Sequence, residues 1–304
     1  MVIARYAGLV VLIIQIISNQ YCRTGLWAGS VCLINKFLTM RKISLVFIFS
    51  LIMIPMLNSC KDKKAEQKED AVTEKEVVKE EAVMNGLTAA EKADGWVMLF
   101  DGKTSEGWRG YKKDHFPAAW EIADGTMHML GSGRGEAGAK DGGDIVFDKQ
   151  FQNFTLSLEW KISEGGNSGI LYLGEEKLDY IWKTAPEMQI LDNERHPDAK
   201  LGKDGNRQAG SLYDLIPAKP QNAKPAGEWN KIELTVFKGT VVHNQNGENV
   251  VEYHLWTPEW NELVAGSKFP ALNSEWADVP SKGYIGLQDH GDDVWFRNVK
   301  IKEL

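Results

Sequence analysis

Cysteine is absent from most of this sequence. The chain of 304 residues has three cysteines, Cys22, Cys32 and Cys60, and none follows residue 60. The rest of the chain therefore has neither a disulfide framework nor a cysteine-based metal or redox site. Its folded part must be stabilised by a hydrophobic core alone, and residues 86–304 suffice to bury about 70% of the unfolded surface in one large β domain.

The motifs of several common enzyme classes are also absent. The net charge is -7 and no predicted element carries a cluster of Lys and Arg, which argues against nucleic acid as a partner. No helical pattern follows the glycine-rich residues 131–135, so a phosphate-binding loop is not expected there. The chain has no Gly-x-Ser-x-Gly elbow and no His-Glu-x-x-His motif. These absences argue against nucleotide-dependent enzymes, the commoner serine hydrolases and the commoner zinc peptidases.

A short segment near the N-terminus has the features of an export signal. Arg41 and Lys42 form a positive start, and residues 43–57 are an almost unbroken apolar run. The run is too short for a comfortable transmembrane helix and has the flanking residues of a signal peptide. Ser59 and Cys60 close the segment, which resembles a bacterial lipobox. The resemblance implies that Cys60 is acylated and becomes the mature N-terminus. The alternative is an uncleaved anchor helix with an incidental cysteine.

The N-terminal part of the chain divides into three predicted regions. Residues 1–39 contain a second apolar stretch upstream of a complete signal, so we expect them to be a mis-called extension, with Met40 as the true start. Residues 40–59 are the predicted lipoprotein signal peptide. Residues 60–85 are the acylated cysteine and a solvated tether rich in Lys and Glu. The expected location is the cell envelope, with residues 86–304 lipid-anchored and facing either the periplasm or the surface.

Short alternating segments dominate residues 86–304. Residues 154–162 alternate strictly between apolar and polar side chains, as a half-buried strand does. Further short strands between turns are predicted at residues 96–100, 120–130, 170–173, 187–191, 231–242, 250–255, 284–288 and 294–301. Capping patterns at Thr88 and Thr257 predict one or two short helices. The sequence therefore predicts an all-β sandwich of two antiparallel sheets.

Two of these strands carry polar side chains on one face. Glu187 and Gln189 share a face, and a carboxylate beside an amide suits the hydroxyls of a sugar. Gln288 and His290 share the face that Gly286 leaves open, and a histidine suits proton transfer at neutral pH. The alternatives are structural: a solvated outer face for the first pair and a hydrogen-bonded structural histidine for the second.

A long polar loop, residues 193–208, precedes Tyr213 and Asp214. Long loops in compact domains are usually functional, and the alternative is a disordered, solvated excursion. Some side chains at its start have the chemistry of ligands for a divalent cation, although their spacing matches no standard calcium loop. They are Asp192, Glu194, His196 and Asp198.

Five motifs in order along the chain make a pattern. They are residues 95–104 (GWVMLFDGKT, followed by Gly107 and Trp108), 165–170 (GGNSGI), 187–192 (EMQILD), 286–291 (GLQDHG) and 296–299 (FRNV). Together they are similar to the motifs of the bacterial 3-keto-disaccharide hydrolase family, and the likeness covers essentially all of residues 86–304. The resemblance implies a concanavalin-like jelly roll of two antiparallel sheets, with a ligand groove on its concave face.

The resemblance also implies an activity. The family is associated with cleaving glycosides that a separate sugar 3-dehydrogenase has oxidised at C3, so a carbohydrate substrate and an upstream dehydrogenase are the implied partners. A ketone at C3 acidifies the hydrogen on C2, so a base can remove it, the anomeric oxygen can leave, and water can add back. The cleavage step requires no cofactor, and a divalent metal remains possible.

The hypothesis for the site gives the proton transfers to His290 or Glu187. The groups expected to bind sugar oxygens or the enolate, or to assist, are Gln189, Gln288, Arg297, Asp192, Tyr213 and Asp214. Laminarinase-type glucanases have a similar jelly roll but carry carboxylates at alternate positions of one strand, and here those positions read Glu, Gln, Leu. That difference argues against the two-carboxylate mechanism. A non-catalytic carbohydrate-binding lipoprotein and a conventional endo-glucanase-like glycosidase remain the alternative functions.

Overall fold

A computed structural model of the protein describes residues 83–135 and 137–304. The predicted extension (1–39), the signal peptide (40–59), Cys60 and nearly all of the tether lie outside the described residues. The chain joins the fold at Asn85, which exchanges two hydrogen bonds with Asn298, at 2.7 and 2.8 Å. No helix within the described ranges is long and apolar enough to cross a membrane.

The described residues form thirteen strands in two antiparallel sheets. In chain order the strands are β1 (Trp96–Met98), β2 (Trp108–Gly110), β3 (Trp120–Ala123), β4 (Thr126–Met129), β5 (Ile145–Phe147), β6 (Phe154–Ile162), β7 (Asn167–Gly174), β8 (Glu187–Leu191), β9 (Asn230–Phe237), β10 (Thr240–Gln245), β11 (Glu248–His254), β12 (Tyr284–Leu287) and β13 (Val294–Glu303). The eight-stranded sheet has the order β11-β10-β9-β6-β13-β4-β3, with β1 paired to β13, and the five-stranded sheet has the order β2-β5-β12-β7-β8. The predicted sandwich is confirmed.

Short helices decorate the sandwich: α1 (Ala89–Ala93), α2 (Pro258–Ala265) and α3 (Phe269–Leu272), with 3₁₀ turns at Ile181–Lys183 and Pro197–Lys200. The predicted capping box is present, because Thr88 Oγ1 accepts from the Glu91 N–H at 3.2 Å and Glu91 Oε2 accepts from the Thr88 N–H at 3.0 Å. Thr257 caps α2 as predicted, by accepting from the Trp260 N–H at 3.1 Å. The sequence patterns did not predict α3.

The core lies between the two sheets. The apolar side chains of β6 are almost fully buried there, as the alternation predicted, and each contributes about 1.5–3 kcal/mol relative to exposure. Met188 and Ile190 of β8 and Ile285 and Leu287 of β12 belong to the same core. The intervening side chains of these two strands therefore point to the other face of the five-stranded sheet. A second, smaller apolar cluster around Leu171 covers part of that outer face.

The predicted strand 231–242 is wrong, because the structure divides it into β9 and β10. The two strands are joined at Lys238 and Gly239, both of which have positive φ, at 48° and 87°. A lysine in that conformation is unusual, so the apolar alternation on both sides hid the turn. Strands β2 and β5, of three residues each, were also missed.

A chain of buried polar groups crosses the core. Burial lowers the pKa of His243 to about 4, so its imidazole is neutral. Nδ1 lies 3.0 Å from the Gly210 carbonyl, which can only accept, so Nδ1 carries the proton. Nε2 therefore accepts from the Tyr172 hydroxyl at 2.9 Å, and Tyr172 accepts from the Tyr253 hydroxyl at 2.6 Å. The chain joins β7, β10 and β11 to the segment that contains Gly210.

This buried histidine predicts a loss of stability in acid. The pKa of His243 is about 4 in the folded protein and near 6.5 in the unfolded chain. The contribution of the neutral imidazole to the free energy of unfolding is therefore complete above pH 6.5 and is lost as the pH falls towards 4. The loss should reach about 3 kcal/mol. Urea unfolding at pH 7 and at pH 4.5 should show that His243→Gln loses clearly less unfolding free energy between these two pH values than the parent protein does. His254→Gln, at an exposed position of β11, is the control and should follow the parent. Equal pH dependence in all three proteins would contradict the prediction.

Candidate functional site

A cavity of about 330 Å³ opens on the outer face of the five-stranded sheet. Its lining residues are Asn167, Trp182, Ala185, Glu187, Gln189, Tyr213, Lys268, Phe269, Leu272, Gln288 and His290. Five of them were predicted from the sequence as site residues. They come together because β8 and β12 both flank β7, so their outward side chains share one surface.

Glu187 and Gln189 form the floor of the cavity. Both are buried, with 8% and 1% of their surfaces exposed, so the solvated outer face that the sequence left open as an alternative is not observed. The Gln189 amide is oriented by its partners: its nitrogen donates to Glu187 Oε1 at 2.8 Å and to the Ser168 carbonyl at 3.1 Å. Gly169 makes room for the carboxylate, because a Cβ built there would lie 2.1 Å from Glu187 Oε1.

Residues 210–213 add to the edge of the sheet beside β8. The Gly210 N–H donates to the Gln189 carbonyl at 2.8 Å, and the Gln189 N–H donates to the Ser211 carbonyl at 3.0 Å. The Tyr213 N–H donates to the Glu187 carbonyl at 3.0 Å. This pairing places the Tyr213 side chain in the cavity beside Glu187.

A network of charged groups lies behind Tyr213. Its hydroxyl donates to Asp198 Oδ2 at 2.9 Å and accepts from Lys268 Nζ at 3.1 Å. Arg207 binds both carboxylates, through Nη1 to Asp198 Oδ1 at 2.7 Å and through Nε to Asp214 Oδ1 at 2.5 Å. Burial, together with the nearby carboxylate of Glu187, holds the pKa of Tyr213 well above its usual range, so the phenol keeps its proton. Asp214 therefore supports the wall of the cavity without lining it.

Gln288 and His290 close one side of the cavity. The Gln288 backbone is fixed by β7, since its N–H donates to the Gly169 carbonyl at 3.0 Å and its carbonyl accepts from Ser168 Oγ at 2.8 Å. Its side chain is 5% exposed, and Oε1 has no hydrogen-bond partner among the described residues. A buried acceptor without a partner is costly, so a donor from a ligand fits this position.

His290 is held in place by its neighbours. The preceding residue, Asp289, is fully buried and accepts from the Gly143 N–H at 2.6 Å and the Gly291 N–H at 2.9 Å. The rings of His290 and His196 meet edge to face at 6.4 Å between centroids. Burial lowers the pKa of His196, and the neighbouring His290 adds to the effect. β12 ends at Leu287, so a loop rather than the expected continuation of the strand brings His290 to the cavity.

Two predicted site residues lie elsewhere. Arg297 follows the core residue Phe296 on β13 and therefore points to the outer face of the eight-stranded sheet, on the other side of the sandwich. There it binds Glu159 at 2.7 Å and stacks on Trp229, with its guanidinium 3.9 Å from the ring centroid. Asp192 caps a turn by accepting from the N–H groups of residues 165, 194 and 195, at 2.7, 3.0 and 3.3 Å.

The four loop side chains that have the chemistry of divalent-cation ligands do not converge. No group of three or more His, Cys, Asp or Glu side chains within residues 83–135 and 137–304 is arranged to hold a metal ion. The Asp198 carboxylate binds Arg207 and Tyr213 instead, and His196 Nδ1 accepts from the Asp198 N–H at 3.1 Å. These side chains therefore do not fit a metal site.

The sequence patterns missed Lys268 and the apolar rim of the cavity. Phe269 stacks on Trp276 at 3.9 Å between centroids, and Trp276 continues the stack to Trp260 at 5.8 Å. This stack fixes α3, whose Phe269 and Leu272 line the cavity together with Trp182. A short helix held by tertiary stacking has no signal in local periodicity.

The comparisons with known proteins agree with this fold. Residues 95–302 match the family model described as a 3-keto-alpha-glucoside-1,2-lyase-like domain. A 3-keto-disaccharide hydrolase of Bacteroides thetaiotaomicron is 54% identical over 241 residues, which cover 73% of this chain and 83% of that protein. The resemblance that the sequence motifs carried is thereby confirmed.

Two crystal structures from Parabacteroides distasonis ATCC 8503, each described as a candidate glycosyl hydrolase, have similar folds. The first is 31% identical with a TM-score of 0.63, and the match covers 73% of this chain and all of that one, 100%. The second is 28% identical with a TM-score of 0.53, covering 69% of this chain and 99% of that one. The chain is related to the 3-keto-disaccharide hydrolase of Bacteroides thetaiotaomicron and belongs to the family of 3-keto-alpha-glucoside-1,2-lyase-like domains.

Proposed function

We propose that this protein is a glycoside-cleaving enzyme that acts on sugars carrying a ketone at C3, by elimination followed by hydration. The relative named as a 3-keto-disaccharide hydrolase supports the substrate class. The observation that carries the proposal is the convergence of Glu187, His290 and the unpartnered Gln288 Oε1 in one cavity. These groups supply proton transfer and a hydrogen-bond acceptor for a sugar hydroxyl.

The composition of the cavity favours elimination over ordinary glycoside hydrolysis. A conventional glycosidase uses two carboxyl groups on either side of the scissile bond. Glu187 is the single acidic residue among those that line the cavity. A C3 ketone removes the need for a second carboxyl group, because the acidified C2 hydrogen gives the reaction another route.

In the proposed reaction, Glu187 or His290 takes the proton from C2, and the electron pair passes to the C3 oxygen as an enolate. The enolate returns its electron pair to form a double bond between C1 and C2, and the C1–O bond to the aglycone breaks. The other of the two residues protonates the departing oxygen. Water then adds across the double bond, its oxygen to C1 and a proton to C2, so that the net result is hydrolysis.

This proposal predicts that loss of either proton-transfer group slows cleavage by about 100-fold or more. The measurement is release of nitrophenol from a nitrophenyl 3-keto-glucoside by the parent, Glu187→Gln and His290→Gln, with and without EDTA. Glu159→Gln, on the opposite face of the sandwich, is the matched control and should keep the parent rate. The unoxidised glucoside should not react.

Each other outcome has a distinct meaning. Parent rates in both variants would contradict the assigned roles. Cleavage of unoxidised glycans would favour a conventional glycosidase, and glycan binding without turnover of the keto sugar would favour a carbohydrate-binding lipoprotein. A loss of release in EDTA would show that a divalent cation takes part.

Gly169 offers a test that substitutes no ionisable residue. Gly169→Ala puts a Cβ where the Glu187 carboxylate lies, so the carboxylate must move, and activity should fall about as far as in Glu187→Gln. Gly266→Ala is the control, because its nearest contacts are two backbone oxygens at 3.6 Å. The measurements are kcat/KM and the thermal unfolding midpoint. A folded Gly169→Ala protein with parent activity would show that the position of Glu187 does not matter.

We further propose that lipid on Cys60 anchors the enzyme in the cell envelope, where a separate sugar 3-dehydrogenase supplies its substrate. The lipobox-like residues 57–60 support the anchor. Metabolic labelling with an alkyne fatty acid should mark the parent protein and a Cys22→Ser, Cys32→Ser double variant. Cys60→Ser should lose the label and leave the membrane fraction. Retention of unlabelled Cys60→Ser in membranes would instead indicate an uncleaved anchor helix.

A further inference from the structure

Among the described residues, the ammonium group of Lys268 has fewer hydrogen-bond partners than donors. It lies in the connection between α2 and α3 and lines the cavity. Its Nζ donates to the Tyr213 hydroxyl at 3.1 Å and lies 4.3 Å from the centroid of that ring. An ammonium has three N–H donors, and among the described residues this is the one hydrogen bond that Lys268 Nζ makes.

The carboxylates near Lys268 are bound by other groups. Arg207 binds both Asp198 and Asp214, and Tyr213 donates to Asp198. The separation of 3.8 Å between Lys268 Nζ and Asp214 Oδ2 is too long for a hydrogen bond. Lys268 is therefore not needed to satisfy these carboxylates, although they favour its charged form.

The surroundings of Lys268 suit the stabilisation of a transient negative charge. Burial lowers the pKa of Lys268, and Asp214 and Glu187 oppose this effect. A partly desolvated cation interacts more strongly with a nearby anion than a cation in water does. Its donors need no reorganisation when an oxyanion forms, because Tyr213 and the aromatic ring of Phe269 already position the side chain.

Resting on the proposed function, we infer that Lys268 is a further catalytic residue, which binds the C3 oxygen of the keto sugar and stabilises the enolate. The C2 proton goes to the base, and the electron pair goes to the C3 oxygen, where the ammonium donates a hydrogen bond. When the C1–O bond breaks, the pair returns and Lys268 still holds all of its protons. No covalent bond to the lysine forms. The sequence hypothesis named Arg297 among the groups that bind sugar oxygens or the enolate, and Arg297 lies on the opposite side of the sandwich.

The test separates enolate formation from cleavage. Exchange of the C2 hydrogen of methyl 3-keto-glucoside is followed by NMR in D₂O, beside nitrophenol release from the nitrophenyl 3-keto-glucoside. Lys268→Met should slow C2 exchange about 100-fold, and Lys268→Arg should recover much of the loss. The affinity for the unoxidised glucoside, which has no carbonyl, should change less than threefold. Lys161→Met is the control, because this lysine also lies over aromatic rings, those of Trp229 and Trp295, but on the outer face of the eight-stranded sheet.

Each contrary result is informative. C2 exchange by Lys268→Met within threefold of the parent rate would overturn the inference. So would an adduct trapped on Lys268 by borohydride, since the lysine would then act as a covalent Schiff-base nucleophile. If Lys268→Met unfolds, Lys268→Gln gives the same comparison, because its neutral amide can still donate to Tyr213. If the parent neither exchanges nor cleaves, the proposed function itself fails, whereas a parent-like variant refutes the role of Lys268 alone.

Discussion

The backbone pairing between β8 and residues 210–213 holds the cavity together. Its three hydrogen bonds add a further extended segment to the five-stranded sheet and fix Tyr213 beside Glu187. The same segment is also bound to the core, because the Gly210 carbonyl accepts from the buried His243. The position of the wall therefore depends on the core of the sandwich, although the loop of residues 193–208 that leads into it is long and polar.

Buried polar groups in this protein fall into two kinds, and the difference bears on function. The hydroxyl groups of Tyr172 and Tyr253 and both nitrogens of His243 have partners, so this chain adds rigidity without an unmet hydrogen bond. Gln288 Oε1 is also buried, but it has no hydrogen-bond partner among the described residues. Leaving such an acceptor unpaired costs about 1–3 kcal/mol, which a sugar hydroxyl would recover on binding. The first kind builds the scaffold, and Gln288 Oε1, which unlike the other unpartnered buried atoms belongs to a residue that lines the cavity, is placed to bind a ligand.

Sequence alone predicted those parts of the site that follow from alternation along one strand. Glu187 and Gln288 could be assigned to faces because their neighbours Met188 and Leu287 are apolar, and a period of two leaves no other choice. Arg297 was assigned to the site although Phe296 had fixed its face equally well. What alternation does not reveal is which of the two sheets a strand joins, and β13 lies in the sheet away from the cavity.

Lys268 could not be predicted from sequence patterns, because its place depends on a stack of aromatic rings from separate elements. With Lys268 assigned, the cavity has one carboxylate, one histidine and one ammonium, which is an unsuitable set for breaking an ordinary glycosidic bond. The same set suits a substrate whose C2 hydrogen is already acidic, since one base and one oxyanion-binding cation then suffice. Under the proposed mechanism the missing second carboxylate is replaced by an earlier chemical step. In that mechanism, oxidation at C3 by a separate enzyme activates the sugar, and this protein needs only to hold the ketone and move protons.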